Sequence, residues 1–251
     1  MKKKLLAMVF LACFAGAALV SAAQPNSEVT ANEIEFDADT DTVIATGNVV
    51  IKKDNGIAKA DKAVYNIKTE QGQLSGNVDA IRDDVTIKCA QLDINTRNYI
   101  VASGGDVVIT RAGDSLNAAT VEYFDDRKFA QTQGDWAKLR KDDGSVITAE
   151  YISYDMKNGK AIADRDVKID SPVRKLTGAG ERAEYFEEKN GQDSIIILTG
   201  QNAWAIQDGN KISGQKLSFK TGKQEGEANG KVMMVIPPTP PTDKKPTVTK
   251  K

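Results

Sequence analysis

Apolar and small residues alternate with polar ones in short runs along the chain, and one of these runs echoes another. VIATGNVVI (residues 43–51) is followed by QLSGNVDAI (residues 73–81), which places the second Gly-Asn-Val 29 residues after the first. The runs have period two, are rich in β-branched and aromatic residues, and are bounded by turn sequences such as Asp54-Asn55-Gly56, Asp142-Asp143-Gly144 and Asn190-Gly191. These features predict short β-strands joined by tight turns. No stretch beyond residue 23 carries a helical period, so an all-β domain is expected.

The echo extends over most of the chain. Seven copies of an apolar-x-small-x-x-apolar-x-apolar pattern begin at Val29, Ala58, Ile87, Leu116, Ile147, Gly178 and Ile212, with spacings of 29, 29, 29, 31, 31 and 34 residues. Each is followed by a second strand-like segment, such as Leu74-Gly76-Val78-Ala80 or Ala228-Gly230-Val232-Met234-Ile236. Within the first half of each copy the parity shifts by one, as between Ala60 and Ala63. A bulge or bend there returns later side chains to the same face, so each strand is expected to turn a corner. Glycines at 47, 76, 105 and 230 suggest the matching kink in the second half. The whole reads as a solenoid-like stack of about seven bent, antiparallel ~30-residue units, each touching mainly its neighbours around one apolar interior. Unpaired strand edges are expected at its two ends, over 30–36 (Thr30, Ile34, Phe36) and 231–236 (Val232, Met234, Ile236).

The termini do not follow the pattern. Lys2–Lys4, the apolar run 5–20 and Ser21-Ala22-Ala23 read as a secretory signal peptide over residues 1–23, with an uncleaved membrane anchor as the alternative. Beyond a domain spanning 28–238, residues 239–251 are rich in Pro, Thr and Lys and predict an extended, disordered tail.

Composition narrows the chemistry. Without residues 1–23 the formal charge moves from −1 to −4, and no basic cluster suited to nucleic acid is present. The absence of histidine excludes His-based triads and His-ligated metals. The acids, Asp41, Asp83, Asp84 and Asp142 among them, fall in turns rather than in a catalytic pair. Cys89 occupies a small-residue position of the repeat and is expected to pack in the core. No phosphate-binding Gly-x-x-x-x-Gly-Lys-Ser/Thr loop occurs, and no cofactor is expected.

Four segments carry a resemblance: 60–65 (ADKAVY), 45–51 (ATGNVVI), 212–219 (ISGQKLSF) and 232–238. As an ordered series along the chain, 45–51 before 60–65, and after a signal peptide, they resemble the OstA-like lipopolysaccharide export proteins, nearest the family's periplasmic bridge component. The resemblance implies a β-jellyroll open along one side, no enzymatic activity, and a periplasmic carrier of lipopolysaccharide through its lipid A. It also implies end-to-end joining through edge strands, with inner-membrane LptC-like and outer-membrane LptD-like proteins of the same fold and with further copies of itself. An apolar trough of that kind would be lined by Ile34, Phe36, Val49, Ile51, Tyr65, Leu92, Ile94, Val107, Ile109, Val121, Tyr123, Trp136, Ile152 and Tyr154. The same residues would equally serve as an ordinary core. Two rival readings are a membrane-anchored, LptC-like docking component of the same pathway and a β-solenoid enzyme or adhesin acting on polysaccharide.

Overall fold

The computed structural model describes residues 27–53, 56–96, 99–124, 126–186, 194–220 and 225–236. The expected signal peptide and tail lie outside them. Eighteen strands form one antiparallel sheet. In chain order they are β1 (Ser27–Thr30), β2 (Glu33–Asp37), β3 (Thr42–Lys53), β4 (Gly56–Asn66), β5 (Gly72–Arg82) and β6 (Val85–Thr96). Next come β7 (Tyr99–Ser103), β8 (Val107–Arg111), β9 (Asp114–Phe124), β10 (Phe129–Arg140), β11 (Val146–Ala149) and β12 (Tyr151–Asp155). The last six are β13 (Lys160–Ser171), β14 (Leu176–Phe186), β15 (Ile195–Gln207), β16 (Asn210–Lys220), β17 (Gly226–Asn229) and β18 (Met233–Val235).

Most strands run through a corner, so the sheet is folded lengthwise into two arms. β1 and β2 both pair with β3, one on each arm, and β17 and β18 both pair with β16 in the same way. The corner is a register shift repeated along the stack, between Thr46 and Val49, Lys59 and Lys62, Ser75 and Val78, Gln133 and Ala137, Asp164 and Val167, and Thr199 and Ala203. The Gly-Asn echo of the sequence is the corner itself. Gly47 and Asn48 have φ of 77° and 49°, and Gly76 and Asn77 have 74° and 46°. Two successive left-handed residues reverse the pleat, and Gly followed by Asn is the pair that tolerates this best.

Each corner docks on the preceding one. Asn48 Nδ2 donates to Asn32 Oδ1 (3.4 Å), Asn77 Nδ2 to Asp61 Oδ2 (2.9 Å), and the Gln201 N–H to Glu181 Oε1 (3.1 Å). Asn32, Asp61 and Glu181 each follow the small residue of their copy, so the repeat also sets a polar seam along the fold. One unit lacks glycine at this place: Arg165 and Asp166 adopt φ of 64° and 47°, and Arg165 Nε meets Glu150 Oε2 at 3.0 Å.

On both sides of the corner the same face is buried, and the inner residues of the two arms form one continuous core. In β4, Ala58, Ala60 and Ala63 are buried while Lys59, Asp61 and Lys62 are exposed. The parity shift therefore has the consequence expected of it, keeping every rung turned towards a single interior.

Candidate functional site

Cross-strand register converts the repeats into ladders of apolar side chains along the interior. One runs Ile34, Ala45, Ala63, Leu74, Leu92, Ala102, Val121, and beside it on the same arm runs Phe36, Val43, Tyr65, Gly72, Ile94, Ile100, Tyr123. The other arm contributes Val29, Ile51, Ala58, Ala80, Ile87, Ile109, Leu116 and, nearer the corner, Val49, Ala60, Val78, Cys89, Val107, Ala118. A β-sheet neighbour lies ~4.8 Å away, so each ladder presents an apolar contact at about that interval along the stack.

The ladders differ in exposure along their length. At the N-terminal end Val29, Ile34, Phe36 and Tyr65 are 40, 49, 59 and 41 % exposed. In the middle, Leu92, Val107, Ile109 and Tyr123 are fully enclosed, and Val49, Val121, Ile152 and Tyr154 are buried with them. Ile51 and Ile94 are half-buried. Fourteen lining residues read from the sequence thus divide into three at an open end, ten at least half-buried between the arms, and one elsewhere. Trp136 does not face the interior: it sits in the wide bulge 134–136, is 38 % exposed, and Ala137 takes the inner place instead. A three-residue bulge in place of the usual two-residue corner reverses the parity that the spacing implied. Trp204 likewise pairs with Ser213 on the outer face, where Lys211 Nζ lies 5.5 Å from its ring, and Ala203 and Ala205 point inward.

The edge residues fall on the end strands. Thr30 is on β1, Ile34 and Phe36 are on β2, and Met234 is on β18, flanked by Val232 and Ile236. At that C-terminal end Val232, Met233, Met234, Val235 and Ile236 are 49–69 % exposed. Lining residues missed by sequence reading include Val43, Ile87, Ile100, Leu116, Leu198 and Leu217, all at repeat positions whose period was visible.

Every backbone pairing among the described residues joins successive rungs of one arm, and none crosses from arm to arm. The arms meet through side chains alone. Glycines let them close: a Cβ on Gly180 would lie 2.9 Å from Leu198 Cδ1, which reaches over from the other arm. The buried polar side chains among the described residues are Asp114, Thr132, Ser145, Ser153, Ser171 and Ser194; Thr132 follows Val121 in the inner ladder, and its hydroxyl accepts from the Ile152 N–H at 2.9 Å. Burial pushes the Cys89 thiol up to about 11, which keeps it neutral.

The arm rims are polar and stitched between neighbouring turns. Arg111 Nε lies 3.0 Å from Asp84, Lys141 pairs with buried Asp114, and Arg174 Nη1 lies 3.6 Å from Asp143. On the outer face Tyr99 stacks on Phe124 at 4.7 Å, Arg127 covers that ring at 3.9 Å, and Tyr99 donates to Glu122 at 2.8 Å. Burial, then the bond to Glu122, raises the Tyr99 hydroxyl to about 12. These groups satisfy one another and leave no open chemistry. Among the described residues no cluster of metal-ligating side chains occurs, and no helix is long and apolar enough to cross a membrane.

A lengthwise-folded sheet with an apolar interior, polar rims and end strands whose outer edges pair with nothing among the described residues defines a layered β-protein built around an elongated apolar interior. The family model for the LptA/(LptD N-terminal domain) LPS transport protein matches residues 57–160 and 91–225, together more than half of the chain. The chain belongs to this lipopolysaccharide transport family. A solved structure it resembles is that of LptH, described as the LptA homologous periplasmic component of the lipopolysaccharide transport device from Pseudomonas aeruginosa, at 11 % identity over 86 % of this chain and 97 % of that one, with a TM-score of 0.16. No curated protein matches the sequence.

Proposed function

We propose that this chain is a periplasmic carrier that holds the acyl chains of lipopolysaccharide between its two arms and leaves the sugars in water. It bridges inner- and outer-membrane parts of the export path through its end strands, meeting LptC-like and LptD-like proteins of the same fold, or further copies of itself. The observation that carries this reading is the run of inner ladders, with Ile34, Phe36 and Tyr65 exposed at its N-terminal end, between arms that no backbone pairing joins among the described residues.

The physics favours such a device. Each methylene exposed to water costs ~0.8 kcal/mol, so a chain of about a dozen carbons carries roughly 10 kcal/mol and cannot cross an aqueous space unaided. Parting the arms exposes apolar surface, yet acyl chains inserted there cover it again, and no strand pairing of the described residues has to break. Entry begins at the open N-terminal rungs and proceeds inward as side-chain contacts between arms are exchanged for contacts with lipid. The glycine and alanine positions that let the arms approach define the space that the lipid takes up.

Incubating the purified chain with membranes containing labelled lipopolysaccharide, then sedimenting the membranes, tests the proposal. Labelled lipid with intact glycan should appear in the supernatant in proportion to the chain added. Lipid that stays wholly in the pellet, or glycan that is cleaved, contradicts it and favours the docking or enzymatic alternatives respectively.

A further inference from the structure

The two ends of the stack carry different outer faces. Residues 33–41 (EIEFDADTD) hold five acids and no cation, and Glu33, Glu35 and Asp37 are exposed on β2. At the opposite end β17 exposes Glu227 beside Glu225, which pairs with Lys220 at 3.0 Å.

Extending the antiparallel ladders by one strand gives the register of a junction in which β17 and β18 of one copy meet β2 and β1 of the next. Leu217 pairs with Ala228, and Ile34 with Ala45, so keeping the inner ladder continuous sets Ala228 against Ile34. Glu227, the neighbour of Ala228, then stands directly opposite Glu35, and Glu225 opposite Asp37. Among the described residues, two neighbouring cations of that strand do not relieve this: Lys216 lies across from Asn229, and Lys220 is engaged by Glu225. On the other arm the same operation sets Met234 against Val29, with Glu28 already paired to Lys52 at 3.3 Å. That half is apolar and free of conflict.

We infer that the N-terminal edge is built to discriminate against its own C-terminal edge, and that its preferred partner is a layered β-protein whose closing strand carries Lys or Arg at the place facing Glu35. The inference rests on the end-to-end joining proposed above. Like charges directly opposite in a sheet destabilise the pair, opposite charges stabilise it, and the difference is fully felt at an exposed edge only at low salt. The apolar arm supplies adhesion common to any partner of this geometry, while the acidic arm selects among them.

A charge-reversal series tests this on the full chain, with end-to-end association measured by sedimentation at low and high salt. E227K and E35K should each tighten association about tenfold at low salt, since each sets Lys opposite Glu. The double variant E35K/E227K, with Lys opposite Lys, should return to wild-type affinity or weaker, and high salt should compress all the differences. In mixtures, an E227K copy should displace wild type from the N-terminal edge of a tagged wild-type chain. If the single reversals leave association unchanged or weaken it, while M234D abolishes it, the junction stands and charge selection is overturned. If no variant associates at any concentration, and V29C with M234C gives no disulfide between copies, end-to-end joining fails and the inference falls with it.

Discussion

Corner residues show how much a single position can decide. Gly76 has φ of 74°, and an added Cβ would lie 2.8 Å from the Cβ of Asp61, whereas Gly105, at φ of 96°, has open space around it. Left-handed backbone costs an L-residue ~1–2 kcal/mol, and Gly76→Ala adds a clash to that strain. Urea unfolding should therefore show Gly105→Ala losing about 1 kcal/mol and Gly76→Ala about 2 or more; equal losses would mean that the seam between corners is slack. Cys89 tests burial in the same direct way. With its thiol held neutral in the core, labelling at pH 8 should proceed only as fast as the chain opens, and rapid labelling of the folded protein would contradict its placement. Period and spacing made the small residues legible as corners. What they left open was which glycines meet a neighbour, because that depends on the preceding rung.

Among elements, the hairpin turns and the contacts between arms carry separate loads. Burial opposes ionisation of Asp143, but hydrogen bonds from Ser145 and the charges of Arg174 and Lys141 outweigh it and hold the carboxyl below its usual range. The Lys160 hydrogen bond, with Arg182, does the same for Glu184. A lowered folded value means that the stabilisation is complete above the unfolded carboxylate range and is lost as pH falls through the folded value. The unfolding midpoint should accordingly hold from pH 7 to about 4.5 and decline below, and Asp143→Asn with Glu184→Gln should flatten that decline by roughly 0.5 kcal/mol per site. Between arms, a side chain at Gly180 would meet the Thr199 carbonyl at 2.8 Å as well as Leu198, so Gly180→Ala should lose ~1–3 kcal/mol by overpacking. An unchanged midpoint would show that the arms are not closed there. Alternation in the sequence located these strands well, but it placed Trp136 inward, because a wide bulge adds a residue that period-two counting does not see.

Over the whole molecule, the repeat announced the stack and the folding of every rung towards one interior, since both follow from parity. It did not show that the middle rungs close upon themselves while the N-terminal rungs remain open; that depends on the volumes of side chains meeting across the arms, as Gly180 and Leu198 do. Nor did spacing reveal that no backbone pairing joins the arms among the described residues, the feature on which the proposed exchange of core contacts for lipid depends. The central claim is that these ladders are one lipid-facing surface. Photocrosslinking to lipopolysaccharide from side chains placed at Phe36, Tyr65 and Tyr154, with Glu35 and Asn66 as outward neighbours, tests it most directly. Labelling at the three inner positions and not at the two outer ones is the result expected; comparable labelling at Glu35 and Asn66, or none at Tyr154, would show that lipid does not run between the arms.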